Sequence, residues 1–405
     1  MNITYIHQYF ATPKSSGGIR SYLIAKSLVN KGHNVNMLTS SAFVPKEWDI
    51  KKGWNLVELE GMQVHVLHLP YSNKTSFIRR LYVFFVFMLR TFFKSIKVKS
   101  DLIYATSTPL TVAIPAVLCS KLKCIPFIFE VRDVWPDIPI AMGFLNNKLI
   151  QKVAKMIELF AYKHARHIVA LSEGMSSRIN NKGIDNSKIS VVENFSDNAL
   201  FGHVLELDVV DPLKKIQALN GKKLVYTGTF GAVNNLKYLI DLAEITQNKS
   251  LDITFILIGD GKEKDELHEY AIKKNVLNKT LVFFDPIRKD ELPWVLSNCD
   301  AAISTVLPIP ELWDNSANKF FDSLAAGLPI IINYGGWQAD LINEMGCGIV
   351  LNSSINEAAA EKLVLFLDDV DRFDVAKKMA KKLAVEKFDT NIQTGKICMI
   401  LESFF

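Results

Sequence analysis

Short apolar runs rich in Val, Ile, Leu and Phe alternate with helix-length stretches along almost the whole chain. This alternation limits the possible folds more than any other feature. In the first half the strand candidates are residues 2–8, 34–40, 62–70, 102–107, 126–133, 167–172 and 189–194. In the second half they are 223–228, 252–259, 281–285, 301–305, 329–333 and 348–351. Strands separated by helices do not close as hairpins; they pair in parallel and are covered by helices on both faces. Two such sets in 405 residues predict two doubly wound α/β domains. The break falls near 195–221, where Asn194-Phe-Ser-Asp197 interrupts the pattern. The expected division is 1–200, then 201–385, then a C-terminal helix over 386–405.

The chain is 49% apolar and 22% charged, which describes an ordinary globular protein. Its five cysteines form no CxxC pair and no zinc-spaced cluster, so buried free thiols and no metal site are expected. The N-terminus lacks a basic stretch followed by an apolar core, the pattern of a signal peptide. The longest apolar run, 81–89, is too short for the roughly 20 residues that span a bilayer. Charge is uneven. Residues 1–200 hold 25 Lys+Arg against 13 Asp+Glu, and the remainder hold 22 against 29. A basic first half and an acidic second half predict different partners.

Glycines stand where strands end. Gly17-Gly18-Ile-Arg20 follows the first strand and opens a helix; Thr227-Gly228-Thr229-Phe-Gly231 holds the matching place in the second half. Glycine lets a backbone approach a phosphate, and a helix N-terminus favours its charge. A plain turn is the simpler alternative at each. Gly259-Asp-Gly261 ends the next strand and suits either a nucleotide contact or a tight turn. Glu130-Val-Arg132-Asp133-Val-Trp135 sets three charges and a tryptophan at the end of an apolar strand. Such charges must be paired or used, so this segment is a catalytic candidate or a loop fixed by an ion pair.

Asp314 and Asp322 flank Lys319 in a segment that closes with Ala-Ala-Gly-Leu-Pro329. On one continuous helix the two acids would point about 80° apart. A helix start near Ser316 instead places Asp314 in the preceding loop. The lysine and the helix start suit a diphosphate, while the carboxylates suit sugar hydroxyls.

From Gly61 to Ser100 there is no acidic residue. Within 76–99, Arg79, Arg80, Arg90 and several lysines interleave with Phe84, Phe85 and other aromatics. A basic aromatic helix suits the headgroup region of anionic lipid, against the alternative of a domain helix with charged ends. The near-neutral total charge and the lack of a nucleic-acid motif argue against nucleic acid.

These motifs together resemble family 4 of the GT-B glycosyltransferases, which transfer sugars with retention. The carriers are Gly17-Gly18, Glu130-x-Arg-Asp-x-Trp-Pro-Asp137, Val191-Val-Glu-Asn194, Gly228-x-x-Gly231, Gly259-Asp-Gly261, Asn318-Lys319, Leu324-Ala-Ala-Gly-x-Pro329 and Gly336-Trp337. The chain is most similar to O-antigen and capsule enzymes of the WbuB type, which act with N-acetyl-fucosamine. The resemblance implies two Rossmann-like domains with a cleft between them, the first facing acceptor and membrane and the second holding the donor. It implies transfer of a hexose derivative, such as N-acetyl-fucosamine, from a UDP-sugar to a polyprenyl-diphosphate-linked sugar, without a metal. The setting implied is the cytoplasmic face of the bacterial inner membrane, with peripheral attachment.

By the same resemblance Gly17, Gly18, Gly228, Thr229, Gly231, Gly259, Lys319 and Asp322 would bind the donor. Asp133, Glu130, Arg132 and Asp314 would act at the reacting centre, and Arg79, Arg80, Phe84, Phe85 and Arg90 would meet lipid or acceptor. Two departures stand out. The family's paired glutamates fall on Asp314 and Asp322, and its frequent histidine falls on Arg132. A nucleotide-sugar 2-epimerase shares the fold and would turn over its substrate without an acceptor. A membrane-bound scaffold would release no nucleoside diphosphate.

Overall fold

The computed structural model describes residues 1–71, 77–133, 135–202 and 211–405, with the side chains of Phe77, Asp211 and Pro212 left aside. Lys74 and Ser76 of the basic window and Val134 lie outside the described residues. The chain divides into two compact units. Residues 1–194, 314–316 and 391–405 form the first; 195–313 and 317–390 form the second.

The first unit is built on an eight-stranded sheet: β1 (Asn2–Ile6), β2 (Asn34–Ser40), β3 (Trp54–Leu59), β4 (Met62–Leu67), β5 (Leu102–Thr106), β6 (Phe127–Val131), β7 (His167–Ala170) and β8 (Ile189–Val191). The order is β3-β4-β2-β1-β5-β6-β7-β8. β5 is buried throughout, as a parallel strand covered on both faces must be, and it reads as a continuous apolar run. One face is covered by α2 (Phe77–Lys97), α3 (Ala113–Lys123) and α4 (Lys148–His164), which follow α1 (Arg20–Asn30) in the chain. Phe87 of α2, Ala116 of α3 and Tyr162 of α4 share one core with Ile6, Ile103 and Phe129. α1 packs beside the helix Thr390–Glu402, with Ser27 Oγ 3.6 Å from Cys398 Sγ and His33 Nε2 2.9 Å from Glu402 Oε1.

β3 is the strand that the sequence pattern misses. It pairs antiparallel with β4 at the edge, so the sheet is mixed rather than purely parallel. Its side chains are partly exposed throughout, and it lacks the unbroken apolar run that marks the other strands. A second difference concerns the thiols: all five cysteines are free, but Cys124 is exposed.

The second unit carries β9 (Lys222–Thr227), β10 (Ile253–Ile258), β11 (Leu281–Phe284), β12 (Ala301–Ser304), β13 (Ile330–Ile332) and β14 (Gly348–Val350), in the order β11-β10-β9-β12-β13-β14. All its pairs are parallel. Helix α5 (Asn318–Ala326) buries Phe320, Phe321 and Leu324 and ends at Gly327, whose φ is 70°. Within the 386–405 range of the expected terminal helix lies Thr390–Glu402, preceded by the helix Val370–Glu386.

In each sheet the chain runs first to one side of the opening strand and later to the other. β1 thus lies between β2 and β5, and β9 between β10 and β12. Ligands of open α/β sheets bind beyond the carboxyl ends of strands at such switch points. The Gly17-Gly18 and Gly228–Gly231 turns both sit there. In the second unit the turns after β9 and β10 are laced by backbone bonds: Gly228 N donates to Ile258 O at 3.0 Å and Phe230 N to Asp260 O at 2.9 Å. Gly259 makes this approach possible, since a Cβ there would lie 1.8 Å from Gly228 O. Gly259→Ala is therefore expected to lower stability by about 1–3 kcal/mol, as overpacking does; urea unfolding with an unchanged midpoint would contradict this.

Candidate functional site

In the second unit the candidate centre is Lys319, in the first turn of α5. Its ammonium donates to Asn234 Oδ1 at 3.1 Å and to the Tyr226 hydroxyl at 3.3 Å, and lies 4.4 Å from the Tyr226 ring centroid. Among the described residues it has no carboxylate partner. Burial around the ammonium disfavours its charged form and brings its pKa down to about 7. A Cβ at Gly228 would stand 3.4 Å from the Lys319 side chain, so the turn and the lysine are neighbours. Gly228 and Thr229 are exposed, Gly231 is half-buried and Gly259 is buried. No side chain caps the start of α5, whose N-cap is Ala317. The site thus offers an ammonium, a helix start without a side-chain cap and an open glycine turn. This combination suits a di-anion such as a diphosphate.

Asp322 lies on the same helix, and its carboxylate meets Lys289 Nζ at 2.5 Å. Both side chains are nearly buried, at 11% and 8% exposure, so neither is a solvated surface charge. Lys289 also lies 5.9 Å from the Phe201 ring centroid.

In the first unit, Glu130 ends β6 with no exposed surface. Arg20 Nε donates to Oε1 at 2.9 Å, Tyr104 to Oε1 at 2.9 Å and Thr106 to Oε2 at 2.5 Å. Burial raises its pKa, but the Arg20 and Arg132 charges and the hydrogen bonds together hold it below the usual carboxylate value. Arg20 in turn donates to Val192 O and Glu193 O at 3.0 and 2.6 Å, tying the start of α1 to the segment after β8. Glu130 is thus ion-paired, with Arg20 rather than Arg132 as the bonded partner.

Arg132 and Asp133 follow, both half-buried. The Arg132 amide donates to Ser107 Oγ at 2.9 Å, and the Thr108 hydroxyl donates to Asp133 Oδ2. Both residues thus stand beside the end of β5. Gly17 is exposed and Gly18 half-buried, in the turn before α1.

Asp314 belongs with the first unit through the segment 314–316. Arg178 Nε donates to its carboxylate, and Ser172 Oγ donates to its carbonyl at 2.6 Å. Gly174 leaves the room: a Cβ there would lie 1.9 Å from Asp314 Oδ1. Asp314 lies in the loop before α5, as the predicted helix start implied, and Asp322 lies on the helix.

On α2, Arg79, Phe85 and Arg90 are exposed, while Arg80 and Phe84 are half-buried. Phe87 is core. Among the described residues no helix is long and apolar enough to cross a membrane. Nor, among them, is any group of three or more His, Cys, Asp or Glu placed to hold a metal ion.

Comparison with known proteins decides the family. Residues 17–194 match the glycosyl transferase 4-like domain, and residues 211–383 match the glycosyl transferases of group 1. The chain belongs to the group 1 glycosyltransferases. A curated relative of this glycosyltransferase is the putative colanic acid biosynthesis glycosyl transferase WcaI of Escherichia coli K12, 24% identical over 74% of each chain. Among solved structures, HepE of Anabaena in complex with UDP and glucose superposes with a TM-score of 0.74 at 17% identity, covering 100% of both chains. WaaG, a glycosyltransferase involved in lipopolysaccharide biosynthesis, gives 0.70 at 12% identity over 98% of this chain and 99% of its own. The two Rossmann-like sheets are the GT-B architecture of these enzymes.

Sequence reasoning missed three partners in this glycosyltransferase. Arg20 stands in the first glycine motif, and its position two residues after Gly18 was the signal. Lys289 and Arg178 gave none, because their acids lie 33 and 136 residues away. Removing Glu130 would break a buried ion pair and take the carboxylate from the Arg20 guanidinium. Glu130→Ala is expected to cost about 3–5 kcal/mol of stability. A denaturant midpoint equal to wild type would show that the pair contributes nothing.

Proposed function

We propose that this enzyme moves a sugar from a UDP-sugar to a lipid-linked glycan in cell-surface polysaccharide synthesis, with retention at the anomeric carbon. One observation carries the reading: the half-buried Lys319 sets its ammonium beside an exposed glycine turn at a switch point, with no carboxylate partner among the described residues. A diphosphate supplies the missing negative charge. The UDP bound by HepE and the polysaccharide settings of WcaI and WaaG support donor and pathway class. The family resemblance favours a deoxyhexosamine such as N-acetyl-fucosamine as the transferred sugar.

In the second unit, Lys319, the Gly228–Gly231 turn and the start of α5 would hold the diphosphate. Asp322, held by Lys289, would face the ribose. In the first unit, Arg132 and Asp133 would serve the reacting groups, with Asp133 orienting the acceptor hydroxyl. Glu130 would act through Arg20 as a positioning residue, and Asp314, clamped by Arg178, would be placed rather than free to swing.

The step proposed is front-face displacement. The bond from the anomeric carbon to the diphosphate oxygen breaks, and the acceptor oxygen bonds to that carbon on the same face. The acceptor proton passes to the departing phosphate oxygen. The protein supplies position and leaving-group stabilisation rather than a nucleophile. The basic helix α2 would bring the enzyme to the cytoplasmic leaflet, where a polyprenyl-diphosphate acceptor resides.

The test is UDP affinity. Loss of a charge-assisted hydrogen bond in Lys319→Ala should weaken UDP binding at least about tenfold. Titration calorimetry would check it, and an unchanged dissociation constant would overturn the donor assignment.

A further inference from the structure

The outward face of α2 is apolar as well as basic. Ile78, Tyr82, Phe85, Leu89, Phe93 and Ile96 recur at helical spacing and are all exposed. The stripe does not stop at this helix. On α3, Leu118 and Leu122 are exposed one turn apart, Leu122 at 65%. On α4, Leu149, Val153 and Met156 form a third stripe, Leu149 at 70% and Met156 at 61%. The three helices share one core on one face of the sheet, so their outer sides face the same way. α3 packs on both neighbours, and its Lys121 ammonium reaches to 6.0 Å from the Phe160 ring of α4.

Charge on this layer has one sign. Arg79, Arg90 and Lys97 of α2, Lys121 of α3, and Lys148, Lys152 and Lys155 of α4 are exposed. The only acid in the three helices is Glu158, which is buried and bonded to Lys182 at 2.5 Å. A face that is apolar along its ridges and cationic between them fits the boundary of an anionic bilayer. There the side chains enter the acyl edge and the ammonium and guanidinium groups meet phosphates. Two copies set face to face would instead oppose cations to cations.

We propose that α2, α3 and α4 form one membrane-docking platform for anionic bilayers, with the three helices lying in the plane of the interface. This rests on, and extends, the proposal that α2 meets lipid. It assigns part of the docking energy to α3 and α4, which carry no membrane signal of their own.

Co-sedimentation of the full chain with phosphatidylethanolamine–phosphatidylglycerol vesicles, and with phosphatidylcholine vesicles as control, tests it. Wild type should bind the anionic vesicles preferentially. Lys148/Lys152/Lys155→Glu on α4 should weaken that binding by at least about a hundredfold, since each cation lost near the surface costs about fivefold and each added carboxylate repels the lipid further. Leu122→Ser with Met156→Ser should weaken it on both lipids. UDP affinity and melting temperature, read on the same variants, show that they are folded. If Arg79/Arg80→Glu abolishes binding but the α4 variant binds like wild type, α2 docks alone and the platform fails. If wild type ignores anionic vesicles, or sediments as a dimer that the α4 variant dissociates, both membrane proposals fail. The transferase reading is tested apart from these outcomes, by UDP binding in the absence of lipid.

Discussion

The central strands of both sheets are buried on both faces, and this constraint governs where chemistry can stand. A parallel strand covered by helices has no wet side, so polar groups collect beyond its carboxyl end. Glu130 is the residue that tests the rule. It sits in the strand itself, where an unpaired carboxylate would cost several kcal/mol. Arg20, Tyr104 and Thr106 engage both of its oxygens. Because Arg20 also bonds the backbone after β8, one buried pair joins the start of α1, the ends of β5 and β6, and the last strand of the sheet. The Gly17-Gly18 turn is thereby held at its switch point.

The second unit solves a different problem. It is the acidic half of the chain, yet it is the half that would bind a diphosphate. Local geometry resolves this. Charges on the acidic surface are paired among themselves, as in Lys274–Glu244 at 2.7 Å and Lys264–Asp285 at 2.6 Å. Lys319 is turned to a phenol and an amide instead of an acid. Net charge describes the surface; in the proposed site the Lys319 ammonium and the start of α5 would decide what the turn attracts. Much of the net positive charge of the first half lies on one outer helix layer, where the proposed docking would use it.

Most of the scaffold was legible because buried parallel strands are continuous apolar runs. All thirteen expected strands are present, most ending a residue or two sooner than the apolar pattern did. β3 escaped because a half-exposed edge strand follows no such rule. The glycine turns, Lys319 and the helix start near Ser316 were visible from composition at strand ends. Their partners were not. Arg20 and Glu130 lie 110 residues apart, and Arg178 and Asp314 lie 136 apart. No local pattern links positions brought together only by the order of strands. The outer helix layer shows the same limit. α2 declares itself by its lack of acids, whereas α3 and α4 look ordinary until packed beside it.

By the proposed reading, Lys319 would meet the negative charge of the donor with its own charge suppressed above neutral pH. Its folded pKa, about 7, lies below the ordinary 10.5. Between these values the unfolded chain holds a proton that the folded chain lacks, so this group makes stability rise with pH across that window. A bound diphosphate favours the charged ammonium and restores the proton. Calorimetric titration of UDP at about pH 8.5, in buffers of different ionisation enthalpy, measures that proton directly. The expected result is an uptake close to one proton per UDP bound, lost in Lys319→Met. UDP binding with no proton uptake at that pH would contradict it.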